Sequence, residues 1–135
     1  MSLHDEWNCK WFGVWKEHGP SYHQCPSVRD FVAPDIVAQY DLNRLIKYLR
    51  ESPVVATASR MNFPCAMTGV RTTGSISFRT DGEWVWLDDL PDYVEKHRVA
   101  IPTKWYHKIE ASHFTPAPAV DQSVIAGLEF PPVGG

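Results

Sequence analysis

The chain has 135 residues, 44% of them hydrophobic and 13% aromatic, with 13 basic and 16 acidic side chains and a formal charge of -3. That supplies a core for one domain of ordinary size and excludes disorder of the whole chain, while the small acidic excess excludes general attraction to nucleic acid or an anionic membrane. No apolar run approaches the roughly 20 residues of a membrane span, and charges interrupt the N-terminal MSLHDEWNCKWFGVW, so the chain reads as cytoplasmic.

Trp7, Trp11 and Trp15 recur every four residues, in step with His4, which predicts a helix with one aromatic stripe; the alternation of Trp11, Gly13 and Trp15 is the competing strand reading. Residues 18 to 35 carry Gly19, Pro20, Pro26 and Pro34 and read as loop with one helical turn near Ser27 to Val32. From Asp41 to Glu51, Leu42, Leu45, Ile46 and Leu49 follow a helical period, with Asp41 as cap and Ser52-Pro53 as stop. Val54 to Arg60 reads as a strand whose Val54, Ala56 and Ala58 face admits a helix.

Asp81-Gly82 is a strong hairpin signal, because a type I′ turn needs positive φ at both central residues. A two-residue loop pairs Thr80 with Glu83, Arg79 with Trp84, Phe78 with Val85, Ser77 with Trp86 and Ile76 with Leu87. Ile76, Phe78, Val85 and Leu87 then share a face expected to meet Leu45, Ile46 and Leu49; Ser77, Arg79, Trp84 and Trp86 share the other. Asp88 or Asp89 caps a helix with Pro91 in its first turn and Leu90, Val94 and His97 inward, and Pro102 opens a helix to Ala111 that carries Trp105 and Ile109. The tail from Thr115 onward reads as extended or partly disordered, laid over the domain by Ile125, Leu128 and Phe130.

These elements make an α+β fold: a small antiparallel sheet with a DG hairpin, packed against three or more helices, with one domain over 1–114 and a Pro-rich tail over 115–135. Two features point to a contact surface. Trp84 and Trp86 lie opposite the apolar face, beside Arg79, and are covered either by the chain's own Trp7, Trp11 and Trp15 with Arg79 stacked on an indole or by a partner. Residues 81 to 95 hold Asp81, Glu83, Asp88, Asp89, Asp92 and Glu95 without a lysine or arginine, whereas residues 41 to 80 hold six basic and two acidic residues. Helix capping accounts for part of that acidity; a surface for a basic partner accounts for the rest.

Chemistry-bearing motifs are sparse. Cys9, Cys25 and Cys65 are an odd number at wide spacing, which suits free thiols, and His23, Cys25 and Cys65 have zinc-binding side chains without zinc-site spacing. A Cys-His pair using Cys65 with His97 or His107 needs only that its members meet in space. There is no P-loop, G-x-S-x-G, H-E-x-x-H or dinucleotide turn, and basic residues 44 to 60 make only a modest patch.

The pattern C-x-x-x-G, then GSISFRTDGEWVW, LPDYVEKHRVAIP and W-Y-x-K-I, over about residues 64 to 110 and more loosely CPSVRDFV, resembles a group of small, largely uncharacterised bacterial proteins. That group has a short Cys-containing turn, a DG hairpin ending in W-x-W and an L-x-x-Y-V-x-x-H helix. Many of its members look like C-x-x-C-G at the turn, where this chain has Cys65-Ala-Met-Thr68-Gly69, so no metal or redox role carries over from the second cysteine. The resemblance implies a fold and no activity.

The functional expectation is a non-enzymatic protein-binding domain, immunity-protein-like by size and character. It would neutralise a cognate toxin, in the sharpest form a basic nucleic-acid-targeting one, through Arg79, Asp81, Glu83, Trp84, Trp86, Asp88, Asp89, Asp92 and Glu95. No cofactor, metal, nucleic acid or membrane enters this reading, and the oligomeric state stays open. Two alternatives stand beside it: a metal-binding or thiol-dependent enzyme or regulator using Cys65 with His23 and Cys25, and a subunit that self-associates through its tryptophan face.

Overall fold

The computed structural model describes residues 3–132. Its helices are α1 (Leu3–Glu6), α2 (Pro34–Val37), α3 (Leu42–Glu51), α4 (Leu90–His97), α5 (Thr103–Ala111) and α6 (Gln122–Ala126). Its strands are β1 (Trp11–Phe12), β2 (Val54–Ser59), β3 (Ser75–Thr80) and β4 (Val85–Leu87), in the order β1-β4-β3-β2. The architecture is α+β as expected, but the sheet is mixed: β2, β3 and β4 are antiparallel neighbours, and β1 lies parallel to β4.

The N-terminal tryptophans do not form one helical stripe. Helix α1 ends at Glu6, and the chain then extends so that Trp11 pairs with Val85 and Phe12 with Trp86. Alternation along β1 sends Trp11 to one face of the sheet and Phe12 to the other, where each joins a different apolar cluster. Gly13 ends the strand at φ +93, a conformation side chains resist, and its bare Cα lies against Leu90.

The hairpin register differs from the two-residue turn. Phe78 pairs with Leu87, Arg79 with Trp86 and Thr80 with Val85, leaving the four residues from Asp81 to Trp84 as the loop. Side chains explain the longer loop. Asp81 Oδ1 accepts from the Glu83 and Trp84 amides at 3.0 and 2.8 Å, while Thr80 Oγ1 accepts from Gly82 N–H and donates to the Trp84 carbonyl. The pairing has slipped by two residues, an even number, so every side chain keeps its expected face.

Which face meets the helices is reversed. Trp84 and Trp86 pack with Leu45, Ile46 and Leu49 of α3, Leu90, Tyr93 and Val94 of α4, and Trp105 and Ile109 of α5. Ile76, Val85 and Leu87 are also buried, but in a second cluster with Trp11, Val14, Cys25 and Phe63, flanked by Phe78 and Leu128. The sheet is therefore covered on both sides, the larger core lying on the tryptophan face.

Strand β2 forms where expected but gives no buried face: Val54, Ala56, Thr57 and Ser59 are exposed and Val55 and Ala58 only half-buried, in a strand at one edge of the sheet. The turn near Ser27 to Val32 is a 3-10 helix over Val28–Phe31 capped by Ser27. The tail is more ordered than an extended segment: α6 is capped by the Asp121 carboxylate, Glu129 accepts from the Lys10 amide at 3.1 Å, and Phe130 meets Phe78 edge-on at 5.7 Å. No helix among the described residues is long and apolar enough to cross a membrane.

Candidate functional site

The tryptophans of the expected contact surface are internal. Trp84 is 2% exposed and Trp86 fully enclosed; Trp84 stacks on Trp105 with centroids 5.2 Å apart, and Trp86 Nε1–H donates to the Leu49 carbonyl at 3.2 Å. They hold α3 and α5 on the sheet and offer no aromatic anchor to a partner. Of the N-terminal tryptophans, Trp15 is buried in their cluster and Trp7 flanks it, while Trp11 serves the opposite face. Arg79 stacks on neither indole. Its Nε–H donates to Asp88 at 2.6 Å and its terminal N–H to the Ser52 carbonyl at 2.6 Å, while Lys10 Nζ sits 5.0 Å from the Trp84 ring centre.

The acids divide by task. Asp81, with a side chain 2% exposed, receives Tyr48 Oη–H at 2.8 Å, Trp105 Nε1–H at 3.0 Å, two loop amides and Lys108 Nζ at 3.1 Å. Burial alone would raise its pKa, but these donors and Lys108 outweigh burial and hold it below the usual carboxylate range. Asp81 thus ties the hairpin loop to α3 and α5. Glu83 pairs with Lys10 at 2.7 Å and sits 3.8 Å from Lys108, Asp88 pairs with Arg79, and Asp92 pairs with Arg50 at 3.1 Å. Glu95 is exposed and, among the described residues, in no ion pair.

Asp89 does something else. It occupies the N-cap position of α4, yet its side chain makes no capping bond. Although the residue as a whole is half-buried, its Oδ1 is sealed from solvent with no hydrogen-bond partner among the described residues. It lines a cavity of about 140 Å³ together with Arg60, Phe63, Cys65, Tyr93 and His97. Burial pushes the carboxyl up to about 7, with Arg60 opposing and Asp92 and Asp88 adding to the rise.

Cys65, which lines the same cavity, begins a segment to Gly69 that closes a tight turn. Gly69 N–H donates to the Cys65 carbonyl at 2.6 Å with φ +77 at the glycine, and Cys65 N–H donates to the Val70 carbonyl at 2.9 Å. Ala66 N–H donates to the Tyr93 hydroxyl oxygen at 2.8 Å, which leaves the hydroxyl proton for the Cys65 thiol. Burial raises the thiol pKa, but hydrogen bonds from the Thr68 hydroxyl, the Met67 and Thr68 amides and Tyr93 outweigh it, so Cys65 ionises below an ordinary cysteine. Burial moves the other two thiols the opposite way, Cys25 to about 11 and Cys9 upward with Glu129 contributing.

The proposed grouping of Cys65 with His23 and Cys25 is not formed. Cys25 is buried in the cluster that also holds Trp11 and Ile76, and its Sγ lies 3.8 Å from the Pro132 carbonyl; His23 is exposed beside Pro20. Neither lines the cavity around Cys65, whereas His97 does. Among the described residues no group of three His, Cys, Asp or Glu side chains is placed to hold a metal. Sequence reasoning missed Tyr93, Arg60 and Phe63 as neighbours of Cys65. A signal for part of the site was present: Asp89, Tyr93 and His97 recur every fourth residue and so share one side of α4.

Comparison with protein-family models, with curated proteins and with solved structures gives no match to this chain.

Proposed function

We propose that the chain is a non-enzymatic protein-binding domain of the immunity-protein kind, which neutralises a cognate protein toxin by direct contact. The observation that carries this reading is the outer strand β2. Its six residues, VVATAS, include no charge, proline or glycine to discourage pairing, and Val54 is 49% exposed. An extended segment of a partner adds to such an edge through main-chain hydrogen bonds. The chain's charge of -3 favours a basic partner over an acidic one, with exposed Glu95 contributing to that bias.

Co-expression with the protein encoded beside it tests the reading: a stoichiometric complex and protection from that protein's toxicity are expected, and failure of both overturns it. Placing lysines at two exposed edge positions, Val54→Lys with Ala56→Lys, should abolish capture while the far-ultraviolet circular dichroism stays native. Retained capture would remove β2 as the contact.

A second reading, a thiol-dependent enzyme or regulator, is favoured by one observation, the cavity that joins Cys65 to Asp89, Tyr93 and His97. It differs from the sequence expectation in its residues, since His23 and Cys25 lie elsewhere.

A further inference from the structure

We propose that Cys65 is oxidised by a small hydroperoxide that enters its cavity, with the Asp89 carboxyl as proton donor to the departing oxygen. This modification site is independent of the protein-binding reading, and a stoichiometric reaction there is compatible with a protein that is not an enzyme.

Three independent features converge. The half-buried thiol lines a cavity of about 140 Å³, close to the ~150 Å³ of a cavity that holds benzene, so a hydroperoxide of that size or smaller fits. The Tyr93 hydroxyl, which accepts from Ala66 N–H at 2.8 Å, lines the same cavity as Cys65, and hydrogen bonding from Thr68, Met67 and Tyr93 outweighs burial and lowers the thiol pKa. These same donors stabilise the negative charge of a thiolate, the nucleophilic form. Asp89 lines the same cavity, and its Oδ1 is enclosed and without a partner among the described residues. A sealed carboxyl oxygen without a partner disfavours the ionised form, so the group holds its proton more tightly than an exposed carboxyl.

The charged and titratable groups around Asp89 are Arg60 from the turn after β2, Asp88 beside it, Asp92, Tyr93 and His97 on α4, and Cys65, which lines the same cavity. Arg60 limits the rise of the Asp89 pKa, so the carboxyl still gives up its proton near neutrality. The Cys65 thiolate attacks one peroxide oxygen; the S–O bond forms as the O–O bond breaks, sulfur losing two electrons and the peroxide gaining them. The departing hydroxide or alkoxide takes the Asp89 proton and leaves as water or an alcohol. Cys65 remains as the sulfenic acid, and Asp89 regains its proton from solvent.

The test uses the intact protein treated with hydrogen peroxide, with sulfenic acid trapped by dimedone and located by peptide mass spectrometry. Cys65 should be trapped at least about tenfold faster than Cys9 or Cys25, which serve as controls in the same chain. Trapping of Cys9 or Cys25 at an equal rate overturns the proposal. Asp89→Asn should slow the peroxide reaction by about tenfold or more near pH 6.5, yet leave alkylation of Cys65 by iodoacetamide unchanged, because iodide departs without a proton. An unchanged peroxide rate, or equal slowing of both reactions, rejects Asp89 as the donor and the proposal with it. Cys65→Ser should abolish the adduct at that position.

Discussion

Two aspartates eight residues apart show how surroundings set the task of a side chain. Asp81 is buried among donors and stays ionised, whereas Asp89 is buried with its Oδ1 unpartnered and is pushed up to about 7. Asp81→Ala would leave Tyr48, Trp105 and two loop amides without their acceptor and Lys108 without its nearest carboxylate. A loss of about 3 kcal/mol or more is expected, read as a lower urea midpoint.

The pH dependence has opposing parts. Asp89, with its pKa raised in the fold, contributes stability that is present below about 4 and is lost as pH rises toward about 7. His18, depressed by burial to about 4 despite Glu17, contributes stability present above about 6.5 and lost as pH falls toward about 4. Each has a slope of about 1.4 kcal/mol per pH unit at full effect, with opposite signs, so the two offset one another over much of pH 4 to 6.5. Asp89→Asn should therefore expose the His18 slope: the variant's urea-unfolding free energy rises with pH across that window, while the parent's stays nearly level.

At the scale of elements, the reading succeeded where the pattern was local. Helix α3 is written in Leu42, Leu45, Ile46 and Leu49, and α4 in Leu90 and Val94 with Pro91 in its first turn, because each needs only its own period and breakers. The N-terminal tryptophans misled, since a period of four suits a helix but an edge strand needs only two residues paired to β4. Gly13 marks the difference. Its φ of +93, which an L side chain resists, predicts that Gly13→Ala costs about 1–3 kcal/mol, while the added Cβ would meet Leu90 at an ordinary contact distance. A thermal melt showing no loss would contradict the strained backbone at this turn. The hairpin loop failed for a related reason: the DG pair suggested the shortest turn, but the Asp81 and Thr80 side chains support a longer one.

Across the whole molecule, both sheet faces are covered, and β2 lies at one edge with no further strand beside it among the described residues. Of the nine residues of the expected contact surface, Trp84 and Trp86 went to the core, Asp81 to a buried network, Asp89 to the cavity, and Arg79, Glu83, Asp88 and Asp92 to ion pairs, leaving Glu95 exposed. The substitutions of the β2 double-lysine variant touch neither apolar cluster, so its melting temperature should remain near that of the parent even as partner capture is lost.

By itself the sequence determined the class of fold, the positions of the three principal helices and of the hairpin, and the alternation of its two faces. Those depend on neighbours within a few residues, on helical and strand periods and on proline and glycine. Only the tertiary structure decided that the Trp84 and Trp86 face is the one the helices cover, that Asp81 is a buried acceptor, and that Cys65 shares a cavity with Asp89 and Tyr93. Each of these joins residues distant along the chain, and burial, which no local pattern encodes, sets whether a tryptophan is core or contact and whether a carboxyl keeps its proton.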